Sequence, residues 1–352
     1  MARTWLLAAA LAALVPLAGC SLIPDRHGVE AVQQDRRLVG VWLGSWPSDA
    51  NPTLDAFEQE TGVRPDLVDV YLDWYTPYAN VTSTVQNIAA HGAIPILTWE
   101  PQGLTTSDIL GGTHVLPQRG GGRPTVDAYL ADFADGTCRS AIQTGQPVFI
   151  RMLHEMNGNW FTWGQSYVDA TGKRPNTDAS YRAAWVKVHD AFTSRCGSAV
   201  KFVWAVNHFS KNAGATFMGT YPGDAYVDYV GIDGYNWGSS THWGWQDFDT
   251  IFREPYCAVT AQTQKPVLLA EVASSERGGD KAAWIRTLYE KMDEYSQIRG
   301  FVWFDDAKYE VEVHGGMDWK LDTSQASLQA FADGAKALAD EETPVSGPGH
   351  VC

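Results

Sequence analysis

Eight short apolar runs recur along the chain, and they limit its fold more than any other feature. They are 38–43 (LVGVWL), 67–72 (LVDVYL), 93–98 (AIPILT), 147–152 (PVFIRM), 200–206 (VKFVWAV), 227–232 (VDYVGI), 266–270 (PVLLA) and 300–304 (GFVWF). Runs this short, β-branched and continuously apolar read as strands buried on both faces, the signature of a parallel sheet. Helical stripes fall between most of them. Tyr181, Trp185, Val188 and Phe192 follow the capping candidates Thr177 and Asp178. Trp284, Leu288, Met292 and Tyr295 follow Asp280, and Val81, Val85 and Ile88 form a third stripe. Apolar residues three or four apart make the core face of a helix. Strands alternating with helices over about 300 residues predict one α/β domain at 38–340, a single (β/α)8 TIM barrel. A doubly wound open sheet is the alternative. It would place a Gly-rich dinucleotide turn after its first strand, where Trp46-Pro47-Ser48 stands instead. The fifth connection, 207–226, is short and Gly-rich, so a helix is least expected there.

Outside the barrel the chain reads differently. Arg3 precedes an apolar run at 5–15, and Leu17-Ala18-Gly19-Cys20 follows it. That run is far shorter than the roughly 20 residues a membrane span needs and suits a signal peptide. The four residues ending in Cys20 resemble the bacterial lipobox. The expectation is a signal peptide at 1–19, lipidation of Cys20 and a polar tether at 20–37. The protein would then be exported and held by a lipid anchor to the outer face of the cell membrane. Residues 341–352 read as a Pro/Gly-rich tail. Four further cysteines suit an exported protein with two disulfides, and the pairing expected is Cys138–Cys196 with Cys257–Cys352. Their spacing does not suit zinc. With 26 Lys+Arg against 41 Asp+Glu and no basic run, nucleic acid is not an expected partner. A monomer is expected.

Active sites of (β/α)8 barrels lie at the C-terminal ends of the strands. Seven of the eight strand ends carry carboxylates or amides, most with an indole close by: Asp73-Trp74, Trp99-Glu100, His154-Glu155 with Asn157, Trp160 and Trp163, Asn207-His208, Asp233 with Tyr235 and Trp237, Glu271, and Trp303 with Asp305. The chain holds 15 Trp, where ordinary usage gives about four. Nine of them (46, 74, 99, 160, 163, 237, 243, 245 and 303) fall at or after strand ends. This predicts an aromatic surface that stacks on flat, apolar ligand faces. Paired carboxyls on such a rim suggest glycoside hydrolysis, in which one protonates the leaving oxygen and the other acts ionised. Glu100, Glu155, Asp233, Glu271 and Asp305 are all candidates. Glu155 and Glu271 stand out because each directly follows a strongly apolar strand. No second His follows His154-Glu155 at metal-binding spacing, so no metal is expected.

The segment 151–164 (RMLHEMNGNWFTWG) resembles the fourth-strand motif of glycoside hydrolase family 26. Residues 265–271 (KPVLLAE) resemble the seventh-strand motif, and 226–237 (YVDYVGIDGYNW) the sixth. The resemblance covers roughly 40–335. It implies a retaining endo-β-glycanase that needs no cofactor. Glu155 would be the proton donor and then general base, and Glu271 the nucleophile. His154 would hydrogen-bond near the sugar, Tyr235 would donate to Glu271, and Trp160 and Trp303 would pack the sugar at the cleavage point. Glu100, Trp99, Trp163, Asn207 and Trp237 are further substrate-binding candidates on the rim. The polysaccharide expected is β-1,4-mannan, with mixed-linkage β-1,3-1,4-glucan or β-1,3-xylan as alternatives. A reading of a different class is a non-catalytic carbohydrate-binding lipoprotein, which would keep the indoles without needing both acids.

Overall fold

The computed structural model describes residues 36–44, 50–208, 217–307, 317–340 and 351–352. The expectations for Cys20, for the rest of 1–35, for Trp46 and for 341–350 lie outside the described residues.

Eight strands form the centre: β1 (Leu38–Trp42), β2 (Leu67–Asp73), β3 (Ile94–Glu100), β4 (Val148–Met152), β5 (Val200–Asn207), β6 (Tyr229–Asn236), β7 (Val267–Ser274) and β8 (Ile298–Phe304). Each runs parallel to the next, and β8 pairs with β1 from Leu38↔Gly300 to Trp42↔Phe304, so the barrel closes. Its outer layer among the described residues is α1 (Ala50–Thr61), α2 (Thr82–Ala90), α3 (Thr106–Gly111), α4 (Val126–Thr144), α5 (Asp178–Cys196), α6 (Phe248–Thr260), α7 (Lys281–Glu294) and α8 (Gln325–Asp340). The described part of the fifth connection holds only 3-10 turns, at Phe217–Thr220 and Asp224–Tyr226. Two of the three capping candidates cap their helices: Thr177 accepts from Ser180 N at 3.0 Å and Asp280 from Ala283 N at 2.8 Å, while Asp178 is the first residue inside α5. Such caps contribute about 1 kcal/mol each.

Strand alternation divides the apolar residues in two. Leu38, Leu67, Ile94, Ile96, Phe149, Val203, Tyr229, Leu268 and Val302 fill the lower barrel interior. Their neighbours face the helices in a larger cluster. The interior is tight enough to require glycine: a Cβ on Gly231 would lie 2.5 Å from the Cβ of Ala205. Two disulfides fasten the helical layer, Cys138–Cys196 between α4 and α5 and Cys257–Cys352 on α6. These are the expected pairs. α6 descends from the rim to the base of the barrel, so Cys257 near its end brings Cys352 to the base. There Arg253 donates to the Val351 carbonyl from Nε and Nη2 at 3.1 and 2.9 Å. The chain also enters β1 from the base, through Arg36 and Arg37.

Candidate active site

The upper interior is polar. In β4, alternation from Phe149 turns Arg151 inward, where it is fully buried. Its Nη2 donates to Asp233 Oδ2 and, at 2.6 Å, to Glu271 Oε1, and its Nη1 donates to Thr98 Oγ1 at 3.1 Å. Thr98 in turn donates to Asp69 at 2.8 Å. Burial alone would lower the proton affinity of Arg151, but Asp233 and Glu271 beside it outweigh that and hold it above its usual range. Burial pushes Asp69 up to about 7, against the pull of Arg151.

Glu271 reaches the interior by a break in the pattern. Leu268 and Ala270 already face inward, so regular alternation would send Glu271 out to the helices. The register shifts instead: β6 uses Gly231 to Asp233 where β7 uses Leu268 to Glu271, and β7 slips against β8 between Leu269 and Val272. The extra residue is a β-bulge, a device that re-aims a side chain. Glu271 Oε1 then also accepts from Tyr71 OH at 2.5 Å, and Oε2 accepts from Tyr235 OH. Each oxygen thus accepts at least one hydrogen bond.

Glu155 sits just beyond β4. Its φ is 51° and that of Leu153 is 50°, a left-handed conformation uncommon outside glycine. Its N–H donates to Ala205 O at 2.9 Å. Oε1 accepts from Asn207 Nδ2 at 2.6 Å, and Oε2 from Trp160 Nε1 at 2.6 Å. Burial, then the charge of Glu271, raise its carboxyl to about 7, opposed by those two bonds and by Arg151. Single oxygens of Glu155, Asp233 and Glu271 lie within 4.8 Å of one another. Such a trio could hold a cation, but the Arg151 guanidinium already bridges two of its members.

His154 is buried beside them, its ring 4.7 Å from that of Phe161, and its Nε2 lies 3.7 Å from Glu100 Oε1. Burial, then Arg151, hold it well below its usual range, so the imidazole is neutral. Glu100 accepts from Gln102 Nε2 at 2.6 Å, and burial raises its carboxyl.

The aromatic expectations divide. Trp160 is 42% exposed beside Glu155, Trp243 is 40% exposed, and Trp237 lies edge-on to Tyr235 at 5.8 Å. Trp99, Trp163, Trp303 and the rim indole Trp74 are fully buried and do not line the cleft. Trp99 is flanked by the inward Thr98 and Glu100, so it faces the helices. There it stacks on Phe133 at 4.2 Å and donates to Tyr129 OH. Trp303 follows the inward Val302 and likewise faces out, donating to Trp319 O at 3.0 Å. Trp163 supports the site from below, donating to His154 O at 2.8 Å and stacking on Phe161 at 4.4 Å. The inward aromatic wall is Trp42, Tyr71, Tyr235, Phe304 and Trp319. Trp42 and Phe304 lie 3.8 Å apart, and Trp319 lies parallel to Tyr235 at 4.3 Å. Arg151, Tyr71, Phe304 and Trp319 were not singled out as site residues from the sequence. Counting alternation through β2, β4 and β8 would have found the first three.

A closed (β/α)8 barrel with two buried carboxyls, Glu155 and Glu271, close together at its rim is an arrangement suited to glycoside hydrolysis. The chain belongs to glycosyl hydrolase family 26, whose model matches residues 75–285. It is 33% identical over 308 residues to Endoglucanase H of Acetivibrio thermocellus, covering 87% of this chain and 31% of that protein. It is 30% identical over 190 residues to a mannan endo-1,4-beta-mannosidase of Bacillus subtilis, covering 51% of this chain and 45% of that one. It thus spans less than half the length of either relative. The fold is similar to that of a GH26 beta-mannanase from Bacteroides ovatus, with a TM-score of 0.60 at 17% identity over 88% of this chain and 91% of that one.

Proposed function

We propose that the chain is a retaining endo-β-glycanase acting on β-1,4-linked mannan. The observation that carries this is the pair of buried carboxyls, Glu155 and Glu271, with oxygens within 4.8 Å of each other. Glu155, raised to about 7, keeps a proton to give, and Glu271 presents oxygens set to accept. Retaining enzymes hold their carboxyls about 5–5.5 Å apart, close enough for direct attack on the sugar.

In the first step Glu271 attacks the anomeric carbon as the bond to the leaving oxygen breaks, and that oxygen takes the proton of Glu155. Glu155, now ionised, takes a proton from water. The water oxygen attacks the anomeric carbon and Glu271 departs. Trp160 and Asn207 aim Glu155, while Tyr71, Tyr235 and Arg151 fix Glu271. The neutral His154 offers a hydrogen bond to a sugar hydroxyl.

Mannan is supported by the mannosidase relatives. Glucan is a second reading, supported by one observation: the match to Endoglucanase H runs over 308 residues, against 190 for the mannosidase. Assays on galactomannan, barley β-glucan, β-1,3-xylan and carboxymethylcellulose separate them. Nuclear magnetic resonance of the first product should show a β-anomer, and an α-anomer would reject the retaining scheme. Glu155→Gln should lose about 10²–10⁴-fold on polysaccharide and much less on an aryl glycoside with a good leaving group. Full activity of Glu271→Ala would refute the assignment.

The lipobox-like segment supports export and anchoring through Cys20. Cys20→Ala should then release the protein from the membrane fraction.

A further inference from the structure

Lys281 opens α7 with its side chain fully buried. A buried ammonium persists only where acceptors replace water. Its Nζ donates to Asp318 O at 2.9 Å, Lys320 O at 2.5 Å and Thr323 Oγ1 at 3.0 Å. The carbonyl between those two, Trp319 O, accepts from Trp303 Nε1. Leu321 N donates to Asp305 Oδ1 at 2.6 Å, and Ser275 Oγ to Asp318 Oδ1 at 2.7 Å. Three successive carbonyls of an irregular segment are thus tied down from α7 and β8. Surface connections more often turn such groups to water.

The fastened segment carries one side chain into the site. The Trp319 ring is 1% exposed and lies 11° from parallel to Tyr235, with Phe304 and Trp237 edge-on to it at 5.6 and 5.0 Å. Tyr235 donates to Glu271. A continuous path therefore runs from Lys281 through the backbone on either side of Trp319 to its ring, then to the phenol and the carboxylate.

We propose that Lys281 is a positioning residue for the reaction: its ammonium clamps residues 318–323 so that Trp319 holds Tyr235 against Glu271. This rests on the glycanase reading. Three acceptors require three N–H groups, which only the charged form has. Burial lowers Lys281 to about 8, and Glu276, Asp318, Asp305 and Asp322 around it act in the opposite sense.

A double-mutant cycle tests the path. Lys281→Met should lower kcat on the preferred glycan about tenfold while KM changes less than about twofold. In a Trp319→Ala background the same change should cost nothing further, because the ring it acts through is gone. An equal loss in both backgrounds would mean that Lys281 only stabilises the barrel, and would overturn the proposal. Near-ultraviolet circular dichroism reads the clamp without substrate. The band that Trp319→Ala removes should fall by about half or more in Lys281→Met, since coupling of the two rings depends on their stacking geometry. An unchanged band would also overturn it. If Lys281→Met does not fold, Thr323→Ala removes one acceptor and should show the same signature at smaller size. A native protein inactive on every glycan would defeat the glycanase reading, while the dichroism would still decide the clamp.

Discussion

At the residue scale, the site stores unfavourable conformations and charges that the scaffold holds in place. Glu155 and Leu153 occupy the left-handed region, at a cost of about 1–3 kcal/mol each. The ionised form of Glu155 is penalised by burial. Its folded value of about 7 lies above the ordinary 4.5, so its contribution to stability is full below pH 4.5 and lost as pH rises through 7. Two measurements follow. The kcat/KM should fall as pH rises through about 7, as Glu155, the proposed proton donor, ionises. The melting temperature of Glu155→Gln relative to the native protein should rise between pH 5 and pH 8, and a constant difference would contradict the assignment. Arg151 is the counterpart. Removing it leaves Asp233 and Glu271 buried without their cation, so Arg151→Met should cost about 3–5 kcal/mol in urea unfolding. Glu155 and Glu271 were legible in the sequence because a carboxylate after an apolar strand is conspicuous. Arg151 was written in the middle of such a run, where only the strand period marks it as inward.

At the element scale, the barrel was legible because parallel strands buried on both faces spell continuous apolar runs. All eight appear within a few residues of their expected places. What position along the chain misplaced were side chains at strand ends. Trp99 and Trp303 belong to the rim by position but to the helical layer by parity. Glu271 shows the opposite case, since parity counted from Leu268 sends it outward and the bulge in β7 returns it. A bulge depends on pairing with both neighbouring strands, which no single run of residues records. The layer that receives the outward indoles is fastened by Cys138–Cys196, which closes a 58-residue separation. Replacing both with Ser should lower unfolding free energy by about 2–4 kcal/mol and leave kcat unchanged at 25 °C, because neither touches the cleft. A loss of kcat without loss of stability would mean that α4 or α5 shapes the site.

At the scale of the whole molecule, the residues of the candidate site lie at one end of the barrel, and Arg36 and Cys352 lie at the other. The rim has few exposed indoles: of the described tryptophans, Trp160 and Trp243 are the exposed ones, on the loops after β4 and β6. A glycan would meet an indole beside Glu155 and another beyond Tyr235 and Trp237. The base carries Arg36, where the described chain enters, and Cys352, fixed to α6 by its disulfide. Both are therefore handles on the same side. Biotin attached at residue 36, or a graft at residue 352, would hold the molecule upright with its mouth to the solution. Coupled to a bead in this way, it should keep the KM for long polymer that it has when free. Linkage through a cysteine placed beside Trp243 should instead raise that KM.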